Sequence, residues 1–130
     1  MKREILVPHY AAAWIWLAVV AWCEGYALAD ARARLLLHVP NGGQRHIATA
    51  ARLRRLGVRP GVPDLLLPVA VAPYHGLWIE MKRRKGGQVS ADQHGWMDAL
   101  RAEGYAVAVA RGADEAIEII IAYLGGTYAQ

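Results

Sequence analysis

The fold is decided by two short apolar runs, Asp64-Leu65-Leu66-Leu67 at residues 64–67 and Leu77-Trp78-Ile79-Glu80-Met81-Lys82 at residues 77–82. Each has the length of a β-strand and carries ionisable residues at one end. If the two strands pair as a hairpin, Asp64 and Glu80 reach the same end of the sheet. Glu80 and Lys82 project from one face because they are two residues apart, while Met81 points to the opposite face and into the core.

The rest of the chain predicts an α/β domain with a small mixed sheet covered by helices. Apolar periodicity, with Gly25, Gly57 and Gly104 as stop signals, defines the other elements. Ser90 and Gln93 have the spacing of a capping box at a helix start. A length of 130 residues fits a single domain spanning residues 1–130. Helices are predicted over 10–24, 47–56, 90–103 and 114–124, and the remaining strands over 34–39 and 105–110.

Composition and charge favour a folded protein with a polyanionic partner. The apolar fraction of 55% excludes a disordered chain, and the single cysteine, Cys23, excludes an internal disulfide and fits a reducing cytosol. Residues 41–95 hold nine Lys and Arg against three acids, whereas residues 96–130 hold two against five. Because the positive charge is concentrated mid-chain, the pattern favours binding to phosphates, although a solvated basic face would give the same counts.

The apolar run from Tyr10 to Cys23 follows Lys2 and Arg3, as a signal peptide would. Glu4 and Pro8 interrupt that pattern, and about 14 residues are too few to cross a bilayer. A buried helix is therefore expected. Since the helix is apolar almost all round, its second cover is expected to be another subunit, giving a homodimer that buries residues 14–22. Membrane association through the tryptophans is a weaker alternative.

Asp64, Glu80 and Lys82 are the candidate catalytic residues. Paired carboxylates suit Mg²⁺ or Mn²⁺, and an adjacent ammonium can stabilise charge or position a nucleophile during phosphodiester hydrolysis. Gln93 lies at the start of the core-facing stripe of its helix, so it can face the same site, where a helix N-terminus also favours phosphate. Taken singly, each of these residues is better explained without catalysis, as a strand entry, a surface ion pair or a helix cap.

Other site chemistries fit the sequence less well. The five histidines include no pair at the helical spacing of a zinc site, and Asn41-Gly42-Gly43 lacks the Lys-Ser/Thr of a nucleotide-binding loop. A turn whose amides, together with Arg45, face the substrate backbone is predicted there instead. Trp78 shares a side with Glu80, and core packing is favoured for it over a place in the pocket wall. Further phosphate contacts are expected from Arg52, Arg55, Arg83, Arg84 and Lys85.

Four ordered motifs, at residues 38–45, 56–65, 78–82 and 90–93, resemble the virus-type replication-repair nuclease (VRR-NUC) family of the PD-(D/E)xK superfamily, as do residues 104–107 and 113–117. The resemblance covers about residues 34–124. It implies a restriction-endonuclease-like core and a metal-dependent DNA nuclease. Metal ligands would be Asp64, Glu80 and the main-chain carbonyl of Met81, with Lys82 as catalytic base and Gln93 in support. Stand-alone members of this family are similar to junction-resolving enzymes and tend to be homodimers.

The expected function is thus a Mg²⁺- or Mn²⁺-dependent DNA endonuclease, cytoplasmic in a bacterium or phage-infected host, that cuts branched DNA such as Holliday junctions. One departure bears on this expectation. The family usually carries a first-helix Glu, which spacing from Pro40 places near residues 14–16, and these positions are apolar here. Glu4 and Glu24 fit the register poorly. A weakened or inactive protein that binds structured DNA is therefore the alternative, although Asp64, Glu80, Lys82 and Gln93 are all present.

Overall fold

The computed structural model describes residues 13–40 and 47–130. Its centre is a four-stranded sheet in the order β1-β2-β3-β4. The first three strands pair antiparallel, whereas β3 and β4 run parallel, so the predicted small mixed sheet is confirmed. The strands are β1 Leu37–His38, β2 Leu65–Leu67, β3 Leu77–Lys82 and β4 Ala106–Arg111.

The described residues also form the helices α1 Ala13–Tyr26, α2 Ile47–Arg55, α3 Ala91–Ala102 and α4 Ala113–Leu124. α1 and α4 share a core with the face of β3 that carries Leu77, Ile79 and Met81. Trp78, Glu80 and Lys82 alternate onto the other face, where Gln93 in the first turn of α3 contacts Glu80 and Lys82. The site is therefore held between a buried sheet and a helix N-terminus. No helix among the described residues is long and apolar enough to cross a bilayer.

Two of the predicted boundaries near the start of the chain are wrong. Residues 34–39 were expected to be one strand, but only Leu37–His38 pair, and a short 3₁₀ helix occupies Ala31–Leu35. Asp30 caps that helix, accepting a hydrogen bond from the Arg32 N–H at 3.1 Å, and this local bond diverts the backbone from the sheet. Gly25 was expected to end α1, but the helix continues through it to Tyr26.

The predicted helix ends at Gly57 and Gly104 are confirmed. Gly57 and Gly104 adopt positive φ values of 95° and 89° directly beyond α2 and α3, the left-handed conformation that favours glycine at a helix end. Gly61, at φ 88°, is needed for packing. A Cβ there would lie 2.7 Å from the main-chain carbonyl carbon of Asp92, in the first turn of α3. The connector entering β2 is thus pressed against α3, which brings Asp64 and Gln93 to one side of the sheet.

Candidate active site

Two buried carboxylates meet where β2 begins. Leu65 pairs with Ile79 in the antiparallel ladder, so Asp64, one residue before β2, lies opposite Glu80. The Met81 N–H donates to Asp64 Oδ2 at 2.8 Å, which ties the first carboxylate to β3. Asp64 is 9% exposed and Glu80 is 2% exposed. The hairpin arrangement expected from the sequence therefore places both acids in a site that is largely closed to water.

Lys82 and Gln93 converge on one oxygen of Glu80. Gln93 Nε2 donates to Glu80 Oε1 at 2.7 Å, and Lys82 Nζ lies 3.4 Å from the same atom. Lys82 Nζ also donates to Gln93 Oε1 at 2.9 Å, closing a triangle of three side chains. All four residues proposed for catalysis from the sequence, Asp64, Glu80, Lys82 and Gln93, are thus brought together.

The same Gln93 amide also completes the capping box of α3. Gln93 Oε1 accepts from the Ser90 N–H at 2.9 Å, and Ser90 Oγ accepts from the Gln93 N–H at 3.2 Å. Gln93 therefore caps the helix and at the same time contacts Glu80 and Lys82. Because one amide joins the helix start to Glu80 and Lys82, the position of α3 determines the geometry of the site.

Burial makes the pair of carboxylates reluctant to ionise together. It raises the pKa of Glu80 from 4.5 to about 7, with the nearby Asp64 charge adding to the increase and Lys82 opposing it. Burial likewise raises the pKa of Asp64, against the hydrogen bond from Met81 and the electrostatic influence of His38 and Lys82. A positive ion placed between the two groups would relieve this repulsion and favour both anions.

The donor set fits a hard divalent cation. Glu80 Oε1 is engaged by Gln93, whereas Glu80 Oε2 is buried and has no hydrogen-bond partner among the described residues. A buried carboxylate oxygen without a partner is costly unless a ligand occupies it. Residues 13–40 and 47–130 include no cluster of three or more His, Cys, Asp or Glu suited to a metal. A pair of carboxylates suits Mg²⁺, which prefers oxygen ligands and usually retains several waters.

The family is settled by comparison with known proteins. A model of the VRR-NUC domain matches residues 16–114, which include every part of the site described above. The chain belongs to the VRR-NUC domain family. A solved structure described as a VRR_NUC domain protein is 27% identical, with a TM-score of 0.72 over 90% of this chain and 93% of that one. The comparison with curated proteins gives no match.

Membership of the VRR-NUC family indicates a nuclease-type, DNA-binding function. It also makes the first helix of this chain notable, since the acid expected near residues 14–16 is replaced. Trp16 stacks instead on the His38 ring, with centroids 4.5 Å apart and planes 10° from parallel. Glu24, the only acid of α1, is exposed. Glu4 lies outside the described residues.

His38 is a site residue that the sequence reasoning missed. Its Nδ1 lies 2.9 Å from the main-chain carbonyl oxygen of Asp64. Because a carbonyl only accepts, the His38 Nδ1 must be the donor in this hydrogen bond. The Trp16 stack holds the ring in that orientation. The available signal was the position of His38 at the head of the first family motif, within a predicted strand.

A basic loop follows β3 in this VRR-NUC domain. Arg83, Arg84 and Lys85 are exposed there, as phosphate-binding residues must be. The Arg111 guanidinium donates to the main-chain carbonyls of Arg83, Gly86 and Gly87 at 3.2, 2.8 and 3.1 Å. Arg111 thus supports the loop from β4. Sequence reasoning missed this role, for which the only signal was an arginine at the end of a strand.

The other predicted contacts are more dispersed. Arg52 and Arg55 are exposed on α2. Asn41, Gly42, Gly43 and Arg45 lie outside the described residues. Trp78 is half-buried, and its ring meets Tyr105 edge-on at 6.4 Å. This contact agrees with the packing role favoured for Trp78 from the sequence.

Proposed function

We propose that this VRR-NUC protein is a Mg²⁺- or Mn²⁺-dependent DNA endonuclease that cleaves branched or structured DNA such as Holliday junctions. The observation that carries the proposal is the convergence at Glu80. One of its oxygens binds Gln93 and lies beside Lys82, the other is buried without a partner among the described residues, and Asp64 lies opposite. Such an arrangement has a ready place for a cation and for a phosphate attached to it.

Each residue would then have a distinct task. Asp64, Glu80 and the Met81 main-chain carbonyl would hold the metal, which when bound polarises a phosphoryl oxygen and lowers the pKa of a coordinated water. Lys82 is 13% exposed at its side chain, so its ammonium can reach the attacking water or the phosphate from a semi-enclosed position. Gln93 keeps Lys82 and Glu80 at a constant separation, which limits reorganisation during the reaction.

The decisive experiment is cleavage of labelled Holliday junctions, flaps and linear duplex with Mg²⁺, Mn²⁺ or EDTA. Cleavage should require the metal, favour the branched substrates and fall at least a hundred-fold in Asp64→Asn, Glu80→Gln and Lys82→Met, as loss of a key catalytic group does. Asp98→Asn, at an exposed acid of α3, is the matched control and should retain wild-type activity. Activity in EDTA, or activity retained in Glu80→Gln, would contradict the proposal.

A homodimer is part of this proposal. Large apolar side chains remain exposed on α1 and on the segments that follow it: Leu17, Leu28, Leu35 and Leu37, at 52, 96, 51 and 42%. β1, which contains Leu37, is an edge strand, so this side of the molecule can be extended by another copy. Two-fold symmetry would present two sites to a two-fold symmetric junction. Light scattering at micromolar concentration should give twice the chain mass, and a monomer would refute it.

A second candidate rests on the substitution in α1. Trp16 occupies the region of the family acid and contacts His38 rather than contributing a charge. If that charge is indispensable, the protein binds structured DNA without cutting it. Binding would then weaken steeply with added salt, because released counterions drive it, and no divalent metal would produce turnover. Detection of metal-dependent cleavage in the assay above excludes this candidate.

A further inference from the structure

A groove of about 310 Å³ opens beside the candidate active site. The described residues that line it come from the end of β1, the end of α2, the connector to β2 and the middle of α3. They include Val39, Pro40, Leu56, Arg59, Val62 and Trp96. The part of the lining that belongs to the described residues is therefore aliphatic and aromatic, and Arg59 adds a cation to it. A volume of this size lies at the lower end of the range for small-ligand sites.

The groove is attached to the catalytic residues through short connections. The Val39 N–H donates to the Asp64 carbonyl oxygen at 2.8 Å, and Val62 precedes Asp64 by two residues. Trp96 lies one helical turn after Gln93, so the two side chains occupy the same face of α3. A group bound in the groove would thus be a neighbour of whatever is bound at Asp64 and Gln93.

The charge around the groove matches a phosphate-linked ligand. Arg59 lines it, and its guanidinium donates to the Arg54 carbonyl oxygen at 2.8 Å, which fixes the cation at the end of α2. A purely aliphatic ligand would make no use of the Arg59 charge, and a free phosphate would make no use of the apolar walls. A planar aromatic group carried on a phosphate backbone uses both.

We propose that this groove binds one unpaired nucleobase of the DNA, stacked on Trp96, while a phosphate beside it lies at Asp64 and Glu80. The inference rests on the proposed function and narrows its substrate: the preferred DNA has an extruded or single-stranded nucleotide next to the cleaved bond. Stacking on an aromatic side chain is independent of base identity, so the groove would select DNA structure rather than sequence. Paired DNA cannot supply the base without disrupting a base pair.

The test is binding in EDTA, which separates recognition from cleavage. Two DNAs carry 2-aminopurine at the same position, unpaired in a branched molecule and paired in a duplex. Wild-type protein should quench the fluorescence of the unpaired base, as stacking does. Trp96→Leu should abolish the quenching and weaken binding of the branched DNA about 5- to 150-fold, the range for one lost base stack. Trp96→Phe should restore most of both.

A second variant guards against misfolding at position 96. Leu56 lines the groove and is 70% exposed, so Leu56→Asp should fold normally while adding a negative charge at the opening. It should weaken binding of the branched DNA at least five-fold and binding of the duplex less than two-fold. Ala70→Asp adds the same charge on an exposed residue of the loop after β2, at the opposite end of that strand from Asp64, and is the matched control.

Three outcomes would overturn the inference. These are an absence of quenching with wild type, an equal loss of affinity for both DNAs in Leu56→Asp, or a change of oligomeric state in Trp96→Leu, which would assign the groove to another copy of the chain. If instead wild type neither binds nor cleaves any DNA, the proposed function itself fails. If the wild type cleaves DNA and the Trp96 and Leu56 variants quench and bind as the wild type does, only the proposed role of the groove is refuted.

Discussion

Removing the charge of Glu80 should change how the stability of the metal-free protein depends on pH. The folded protein holds the Glu80 proton up to a pKa of about 7, against an ordinary value of 4.5. Between these values the folded state therefore binds more protons than the unfolded state, and stability falls as pH rises. This contribution is complete below pH 4.5 and is lost above pH 7. In Glu80→Gln the side chain at position 80 is uncharged at every pH, so the variant lacks this contribution to stability.

The size of the effect follows from the two pKa values. Each pH unit of separation corresponds to 1.36 kcal/mol, so the free energy of unfolding should fall by about 3 kcal/mol from this residue between pH 4.5 and pH 8. A single domain is typically stable by about 5–15 kcal/mol, so the loss is a large fraction of the total. Since Glu80 is 2% exposed, solvent does little to screen the repulsion from Asp64 that contributes to it.

Urea unfolding in EDTA at pH 5, 6, 7 and 8 measures this directly. The free energy of wild type minus that of Glu80→Gln should decrease steadily across the series, and the histidines contribute equally to both proteins. Glu118→Gln, at an exposed position of α4, is the control and should parallel wild type. Adding Mg²⁺ at pH 8 should stabilise wild type but not Glu80→Gln. A constant difference between the two proteins, or one that grows with pH, would refute the reasoning.

Three further predictions concern the residues around the carboxylates. Gln93→Ala removes the amide that joins Ser90, Glu80 and Lys82, and should lower the free energy of unfolding by about 2 kcal/mol in urea titrations, where an effect below 0.5 would contradict the network. His38→Ala should weaken Mn²⁺ binding in calorimetry, whereas His38→Asn, which still offers an N–H to the Asp64 carbonyl, should largely restore it; equal behaviour of the two would refute a positioning role. Arg111→Met should weaken DNA binding several-fold in anisotropy titrations by releasing the loop at 83–87, while Arg101→Met, which loses the same charge elsewhere, should not.

Features governed by neighbouring residues were predictable from the sequence. The Ser90 capping box and the helix ends at Gly57 and Gly104 follow from capping chemistry or glycine conformation within a few residues, and the β2–β3 pairing meets the condition on which the sequence prediction of the site depended. Because alternation also determines which face a side chain occupies, the association of Glu80 with Lys82 came from the same reasoning. Asp64 lies beside them because β2, which begins one residue after it, is antiparallel to β3.

The errors arose where local signals compete or where partners are distant in sequence. Residues 34–39 have strand-like composition, but the Asp30 cap stabilises a 3₁₀ turn over part of them. Arg111 reaches carbonyls 24 to 28 residues earlier in the chain, and His38 bonds a carbonyl 26 residues later. Neither contact leaves a periodic pattern in the sequence. The roles of His38 and Arg111 depend on the positions of β1 and β4 at opposite edges of the sheet, which the sequence pattern does not give.

The hydrogen bonds at Gln93 determine which atom of Glu80 is left for a ligand. Ser90 N–H and Lys82 Nζ are donors, so Gln93 must turn its oxygen toward them and its NH₂ toward Glu80 Oε1. Because Glu80 Oε1 already accepts the hydrogen bond from Gln93, the proton that Glu80 holds at low pH belongs on Oε2, the atom without a partner among the described residues. A divalent cation would compete for the same atom. Metal affinity should therefore fall about ten-fold for each pH unit below 7, through the same equilibrium that makes the metal-free fold more stable in acid.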